Sequence, residues 1–219
     1  MKKLHVPFYP QISGKDLSEL TTLLVENGVS DMVEIVNWPK RFPYKPITEF
    51  NILRSDTSLF IRFYVRGNLL KASYSDDQSP VHEDSCVEFF CQVPGNEYYT
   101  NFEFNCIGTC SASRRKGRKD DVQLLSNAEM QTIKRLPSIG RRAFNEMQGN
   151  FEWELTVEIP FALMGIDSTN LPDKIYANFY KCADDTDSPH FVSWNAITTE
   201  QPDFHRPEFF GELVFGQKM

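Results

Sequence analysis

The stretch FEWELTVEIPF, residues 151–161, restricts the fold more than any other part of the chain. Phe151, Trp153, Leu155, Val157 and Ile159 alternate with Glu152, Glu154, Thr156 and Glu158. A period of two puts the apolar side chains on one face of a strand and the carboxylates on the other. One face must meet a core and the other water, with Trp153 in the core. Two such sheets packed face to face are the stable way to bury the apolar faces.

The same period recurs along the chain. TEFNILRSDTSLFIRFYV reads as two strands joined at Arg54–Ser58, with Leu59, Ile61, Phe63 and Val65 alternating with Phe60, Arg62 and Tyr64. SCVEFFCQV is apolar on both faces except at Glu88, which predicts a strand central in its sheet. PGNE makes a turn and YYTNFEFNCIGT returns as the hairpin partner. On that return strand Phe102, Phe104 and Cys106 share one face and Asn101, Glu103 and Asn105 the other. ALMGI is a short helical turn after Pro160; KIYANFYKC, FVSWNAI and GELVF are further strands. The segment from Ser111 to Asn150 reads as polar loops with a short strand near Met130–Leu136.

One helix precedes these strands. SGKDLSELTTLLVENG places Leu17, Leu20, Leu24 and Val25 on one face, with Ser13 and Asp16 resembling a capping box and Gly28 at the C′ position. The sum is an all-β chain, an antiparallel two-sheet β-sandwich with a short N-terminal helix. It forms one domain over residues 1–219, of which 1–30 are an extension carrying the helix. The 18 Phe and 8 Tyr suit β architecture.

Charge excludes one class of partner. The formal net charge of −7 and pI near 5.2 lack the basic face of a nucleic-acid binder. The run Arg114, Arg115, Lys116, Arg118, Lys119 is followed by Asp120 and Asp121 and reads as a solvated loop. No stretch has the length of a transmembrane helix, so no membrane partner is expected. His5, Pro7 and Pro10 interrupt the apolar run that a signal peptide needs. Cytoplasmic residence is the default expectation, and a periplasmic or extracellular one follows only if a signal was removed. With five Cys and no export signal, free buried thiols are expected. The spacings Cys86-x4-Cys91 and Cys106-x3-Cys110 match no common zinc-ligand pair, and no cofactor is expected.

Candidate chemistry centres on three sets of residues. Trp194 lies in a loop-rich region where an indole can stack on a ligand or plug the end of the sandwich. Glu88 and Glu103 fall on neighbouring strands of a hairpin and can form a carboxyl pair. Such a pair can accept sugar hydroxyls, or cleave a glycosidic bond if the two groups stand open at a catalytic separation. Two glutamates buried together would exclude that cleavage. Two of His5, His82, His190 and His205 could ligate a haem iron, which leaves a haem or redox domain as a further alternative.

Four ordered blocks, VHEDSCVEFF, NEYYTNFEFNCIGT, ANFYKCADDTDSPHFVSWNAI and PDFHRPEFFGELVF, resemble the carbohydrate-binding module family 9-like proteins, in particular the stand-alone type of Bacteroidetes. The resemblance implies a β-sandwich that binds a mono- or oligosaccharide without catalysis, in polysaccharide catabolism such as that of xylan. Family 9 modules of xylanases hold a sugar end between two tryptophans with acidic and amide groups around it. Carried over, the first tryptophan position is His82, the block's glutamate is Glu88, and the second tryptophan matches Trp194. The implied site is Trp194, His82, Asp84, Glu88, Glu103 and Asn105. Members of the family also bind structural calcium, but no clear calcium loop is present.

Overall fold

The computed structural model describes residues 1–215. Fourteen strands run in chain order: β1 (Lys3–Val6), β2 (Val29–Met32), β3 (Ile35–Val36), β4 (Ile47–Arg54), β5 (Ser58–Ala72), β6 (Cys86–Gln92), β7 (Tyr99–Asn105), β8 (Cys110–Arg115), β9 (Gln123–Leu124), β10 (Lys134–Pro137), β11 (Phe144–Pro160), β12 (Lys174–Cys182), β13 (Phe191–Ser193) and β14 (Gly211–Phe215). The larger sheet has the order β1-β14-β12-β6-β7-β8-β9, with β13 on β12 and β3 on β13. The smaller has the order β10-β11-β5-β4-β2. The expected two-sheet sandwich is therefore present. Its pairings are antiparallel apart from β1 with β14, which run parallel because the N-terminal segment lies along the last strand.

Alternation decides what fills the space between the sheets. Trp153, Leu155, Val157 and Ile159 of β11 and Ile61, Phe63 and Val65 of β5 point inward. They meet Val87 and Phe89 of β6, Phe102 and Phe104 of β7, and Phe179 of β12. Phe50 and Phe179 stack across the interface with centroids 3.8 Å apart. Such a pair contributes ~0.5–1.5 kcal/mol beyond the area it buries. The outward carboxylates of β11 are neutralised on the solvent face, Glu154 by Arg62 and Glu158 by Lys134 at 2.8 Å. Long strands thus keep one wet face through cross-strand pairs.

Several local expectations need correction. The helix, α1, spans Leu17–Asn27 and begins at Asp16, whose side chain makes no capping bond, so Ser13 and Asp16 form no capping box. Only Leu20 and Leu24 of its apolar set are buried; Val25 is 54% exposed. Their companions are Ile12, Leu53 and Phe60, with Leu17 and Leu23 partly buried against the same cluster. Gly28 ends the helix with extended dihedrals rather than left-handed ones. Its role is close approach: a Cβ there would stand 2.5 Å from the Leu24 carbonyl oxygen. The region 111–150 is more ordered than its polarity suggests. It holds all but the first residue of β8, all of β9 and β10, and the first half of β11, because edge strands with polar faces carry no alternation signal.

Trp194 follows β13 and lies inside the sandwich, fully buried, edge-on to Phe50 and Phe179. Its Nε1 donates to Asp31 Oδ2 at 2.7 Å. Gly211 makes room for it: a Cβ at Gly211 would meet the indole at 2.5 Å and the Lys2 carbonyl oxygen at 2.8 Å. Gly211→Ala should therefore destabilise the protein by about 1–3 kcal/mol, the cost of overpacking a filled core. Urea unfolding reads this directly, and an unchanged midpoint would contradict the packing described.

Candidate functional site

The outer face of the larger sheet is not left to solvent. A second apolar cluster covers it, with Trp38, Phe90, Tyr99, Tyr180, Phe204 and Phe210 among its members. Trp38 anchors the covering segment by donating from Nε1 to the Thr199 carbonyl oxygen at 2.7 Å. The cover is incomplete, and a cleft of about 370 Å³ opens beside it.

Register builds the floor of this cleft. Tyr180, Glu88, Glu103 and Ser111 are partners in one row across β12, β6, β7 and β8. Cys182, Cys86 and Asn105 form the row on one side, and Asn178, Phe90, Asn101 and Ser113 the row on the other. Directly opposed residues of an antiparallel pair present their side chains to the same face. Glu88 and Glu103 are therefore brought side by side, as their sequence positions predicted. Both are nearly inaccessible, at 2% and 7% exposure, and both line the cleft.

Their partners are few. Glu103 Oε1 accepts from Asn101 Nδ2 at 2.9 Å. Asn101 Oδ1 in turn accepts from Ser113 Oγ at 2.7 Å, and Ser113 Oγ accepts from Arg115 Nε at 2.8 Å. Arg115 thus reaches Glu103 only through two neutral side chains. Glu88 Oε1 accepts from the thiols of Cys182 and Cys86, at 3.1 and 3.9 Å. Burial, reinforced by Glu103, pushes the Glu88 carboxyl well above the usual carboxylate range. Burial also raises Glu103 to about 7, against the opposing pull of Arg115. Asp184, at the same cleft, rises to about 7 for the same reason. Removing these groups from water disfavours their charged forms, and the guanidinium groups of Arg115 and Arg118 offset that only in part.

The walls combine aromatic and basic groups. Phe191 and Phe204 supply apolar surface. His205 lies over Phe90 with ring centroids 4.9 Å apart and shares a hydrogen bond with the Tyr99 hydroxyl at 3.0 Å. Burial and the nearby guanidinium groups lower His205 to about 3, so its ring is neutral. His82 is half-exposed at the opposite wall, with Nδ1 3.8 Å from Glu103 Oε2. Burial also lowers His82. Arg118 stands at the mouth, 3.8 Å from Asp203.

Of the six residues expected from the sequence, the structure brings His82, Glu88 and Glu103 to the cleft. The other three serve the fold. Trp194 is in the inner core and offers no face to a ligand. Asp84 is fully buried, and its carboxylate accepts from the backbone N–H groups of Ser73 and Tyr74 and from Asn105 Nδ2. Asn105 is consumed by that bond and by the Tyr74 carbonyl and Thr109 N–H groups. Together they tie the ends of β5 and β7 to the loop before β6. The residues that sequence reasoning missed are Arg115, Arg118, Asp184, Phe191, Phe204 and His205. Arg115 and Arg118 sit in the basic run read as a solvated loop. Asp184, Phe204 and His205 come from irregular segments without any period, and Phe191 opens the short strand β13.

The family model for carbohydrate-binding family 9 matches residues 19–215. The chain belongs to carbohydrate-binding family 9. It is similar to a crystal structure from Bacteroides uniformis described as a candidate carbohydrate-binding protein. The two are 33% identical over 98% of this chain and 99% of that one, with a TM-score of 0.91. A family 9 module from Caldicellulosiruptor kristjanssonii in complex with glucose shares the fold, with a TM-score of 0.58 and 11% identity over 100% of this chain and 97% of that one. The same module with cellotriose gives 0.56 and 9%, over 100% and 95%. No curated protein matches the chain.

The carboxyl pair sets a pH dependence. Glu103 is raised when folded, from 4.5 to about 7. Its stabilising contribution is therefore complete below the unfolded value and is lost as pH rises through the folded one. Glu103→Gln should gain stability relative to the parent as pH rises from 4.5 to about 7. Urea unfolding of both proteins in chelator, at several pH values in that window, measures the difference. A flat difference would mean that Glu103 is not buried uncompensated.

Proposed function

We propose that this family 9 chain binds a mono- or oligosaccharide without catalysis in the cleft over Glu88 and Glu103, as part of polysaccharide catabolism. The observation that carries the proposal is the meeting of aromatic surface and hydrogen-bonding groups in one cleft of about 370 Å³. That size falls within the ~300–1,000 Å³ of small-molecule sites. A pyranose presents apolar C–H faces and a polar rim. Phe191 and Phe204 suit the first; Arg118, His82 and the carboxyl pair suit the second. The aromatic wall is supplied by phenylalanines and a neutral His205 rather than by Trp194. The complexes of the Caldicellulosiruptor module with glucose and with cellotriose support a sugar as the ligand class.

A glycosidase reading finds no support. It requires two carboxyl groups open to substrate and water, one of them ionised. Glu88 and Glu103 are packed against each other at 2% and 7% exposure, and both are driven towards their protonated forms. As hydrogen-bonding groups, protonated or not, they remain suited to sugar hydroxyls.

Calorimetric titration with xylose-, glucose- and galactose-based sugars and with uronic acids tests the proposal. One class should bind saturably. Arg118→Ala and His82→Ala should each weaken that binding by ~10-fold, the loss of one charge-assisted or buried hydrogen bond, without lowering the unfolding temperature. Both side chains are 40% exposed or more, so neither supports the core. No binding by any sugar, or unchanged affinity in both variants, would refute the cleft as a sugar site.

A further inference from the structure

The floor of the cleft contains a ligand set that no sugar requires. Cys86 and Cys182 are register partners on β6 and β12. Both point to the outer face, as does Glu88 two residues along β6. Both thiol sulfurs and a Glu88 carboxyl oxygen lie within 4.8 Å of one another, and all three residues are buried. The other three cysteines have the opposite parity: Cys91, Cys106 and Cys110 belong to the inner core. Spacing along the chain therefore pairs the wrong thiols. The pair that converges lies 96 positions apart along the chain.

Glu88 is the second, independent observation. Its carboxyl is 2% exposed and aimed into the cleft, yet among the described residues its hydrogen bonds come from thiols, which are weak donors. Both thiols reach the same oxygen, Oε1. Buried acids elsewhere in this chain are better served. Asp84 has two N–H donors and an amide, and Glu103 has an amide. A buried carboxyl without a strong donor is an unfavourable arrangement unless something else completes it.

We propose that Cys86, Cys182 and Glu88 form a binding site for a thiophilic divalent cation, with zinc the best fit. Two sulfurs and one carboxyl oxygen suit zinc, whereas calcium and magnesium select oxygen ligands. Glu88 and Cys182 line the cleft, so the side of the site towards the cleft is open. Three protein ligands with an open position is the pattern of a zinc site that also meets a ligand from outside. On binding, each thiol releases its proton to solvent and the sulfur takes up the cation. The nearest buried cation is Lys181, which stands on the opposite face of β12. Its ammonium donates to the Cys182 carbonyl oxygen at 2.6 Å and lies 2.9 Å from His190 Nε2.

The test uses the whole chain, reduced and stripped with chelator, titrated with Co2+ in the absence of sugar. The expected result is a thiolate-to-cobalt charge-transfer band that saturates at one metal per chain and is bleached by Zn2+. Cys86→Ala and Cys182→Ala should each abolish the band, and Glu88→Gln should weaken Co2+ binding by ~10-fold or more, the least that loss of a ligand contact costs. Cys182→Ser, which keeps the shape of the side chain, replaces the alanine variant if that fails to fold. Absence of the band in the parent chain, or its persistence in either cysteine variant, overturns the site.

Discussion

Strand β6 is buried on both faces, and the rest of the molecule is arranged around that demand. Its inward side chains, Val87, Phe89 and Cys91, belong to the core between the sheets. Its outward ones, Cys86 and Phe90, belong to the second cluster. A strand flanked by β12 and β7 has its backbone hydrogen bonds satisfied on both edges, so it can sit in a dry environment. The outer face must then be covered by chain from elsewhere. The segments around Trp38 and Phe204 do so, leaving the cleft where their cover stops.

Glu88 is the polar exception on that strand, and it gives the cleft its chemistry. Its register partner is a second glutamate, so two carboxyl groups share one poorly solvated place. The guanidinium groups that could neutralise them are held back. Arg115 is tied to Ser113 and to the Arg118 carbonyl oxygen. Arg118 contacts the loop that carries Asp203. The outcome is a floor of protonatable groups beneath a basic rim, with phenylalanine at the side. Such a floor is completed by something that enters from outside, whether hydroxyl groups or a cation.

Much of the fold was legible from alternation. The strands around Phe63, Phe89, Phe104 and Trp153 were predicted, the last with its inward face, and the pairing of β6 with β7 followed from the short turn between them. The Glu88–Glu103 pair came from the same two facts, a turn and a parity. Trp194 was left open between ligand and core by its neighbours, and only the resemblance put it in the site; an indole just past a strand end looks alike in either role. Asp84 and Asn105 were drawn into the site by position. Their side chains face the correct end of the sheet but are consumed by backbone groups that only folding brings near.

The sequence by itself determined the strand periods, which side chains share a face and the carboxyl pair, because side-chain direction along a strand is a local property. Only the tertiary structure decided which parts of the outer face stay open. That depends on where Trp38, Phe191 and Phe204 settle against β6 and β12, and Trp38 meets the other two rings across more than 150 residues of chain. It also joined Cys86 to Cys182 and carried Arg115 and Arg118 to the cleft. Neither arrangement has a local signature, since both follow from how the strands pair across the sheet.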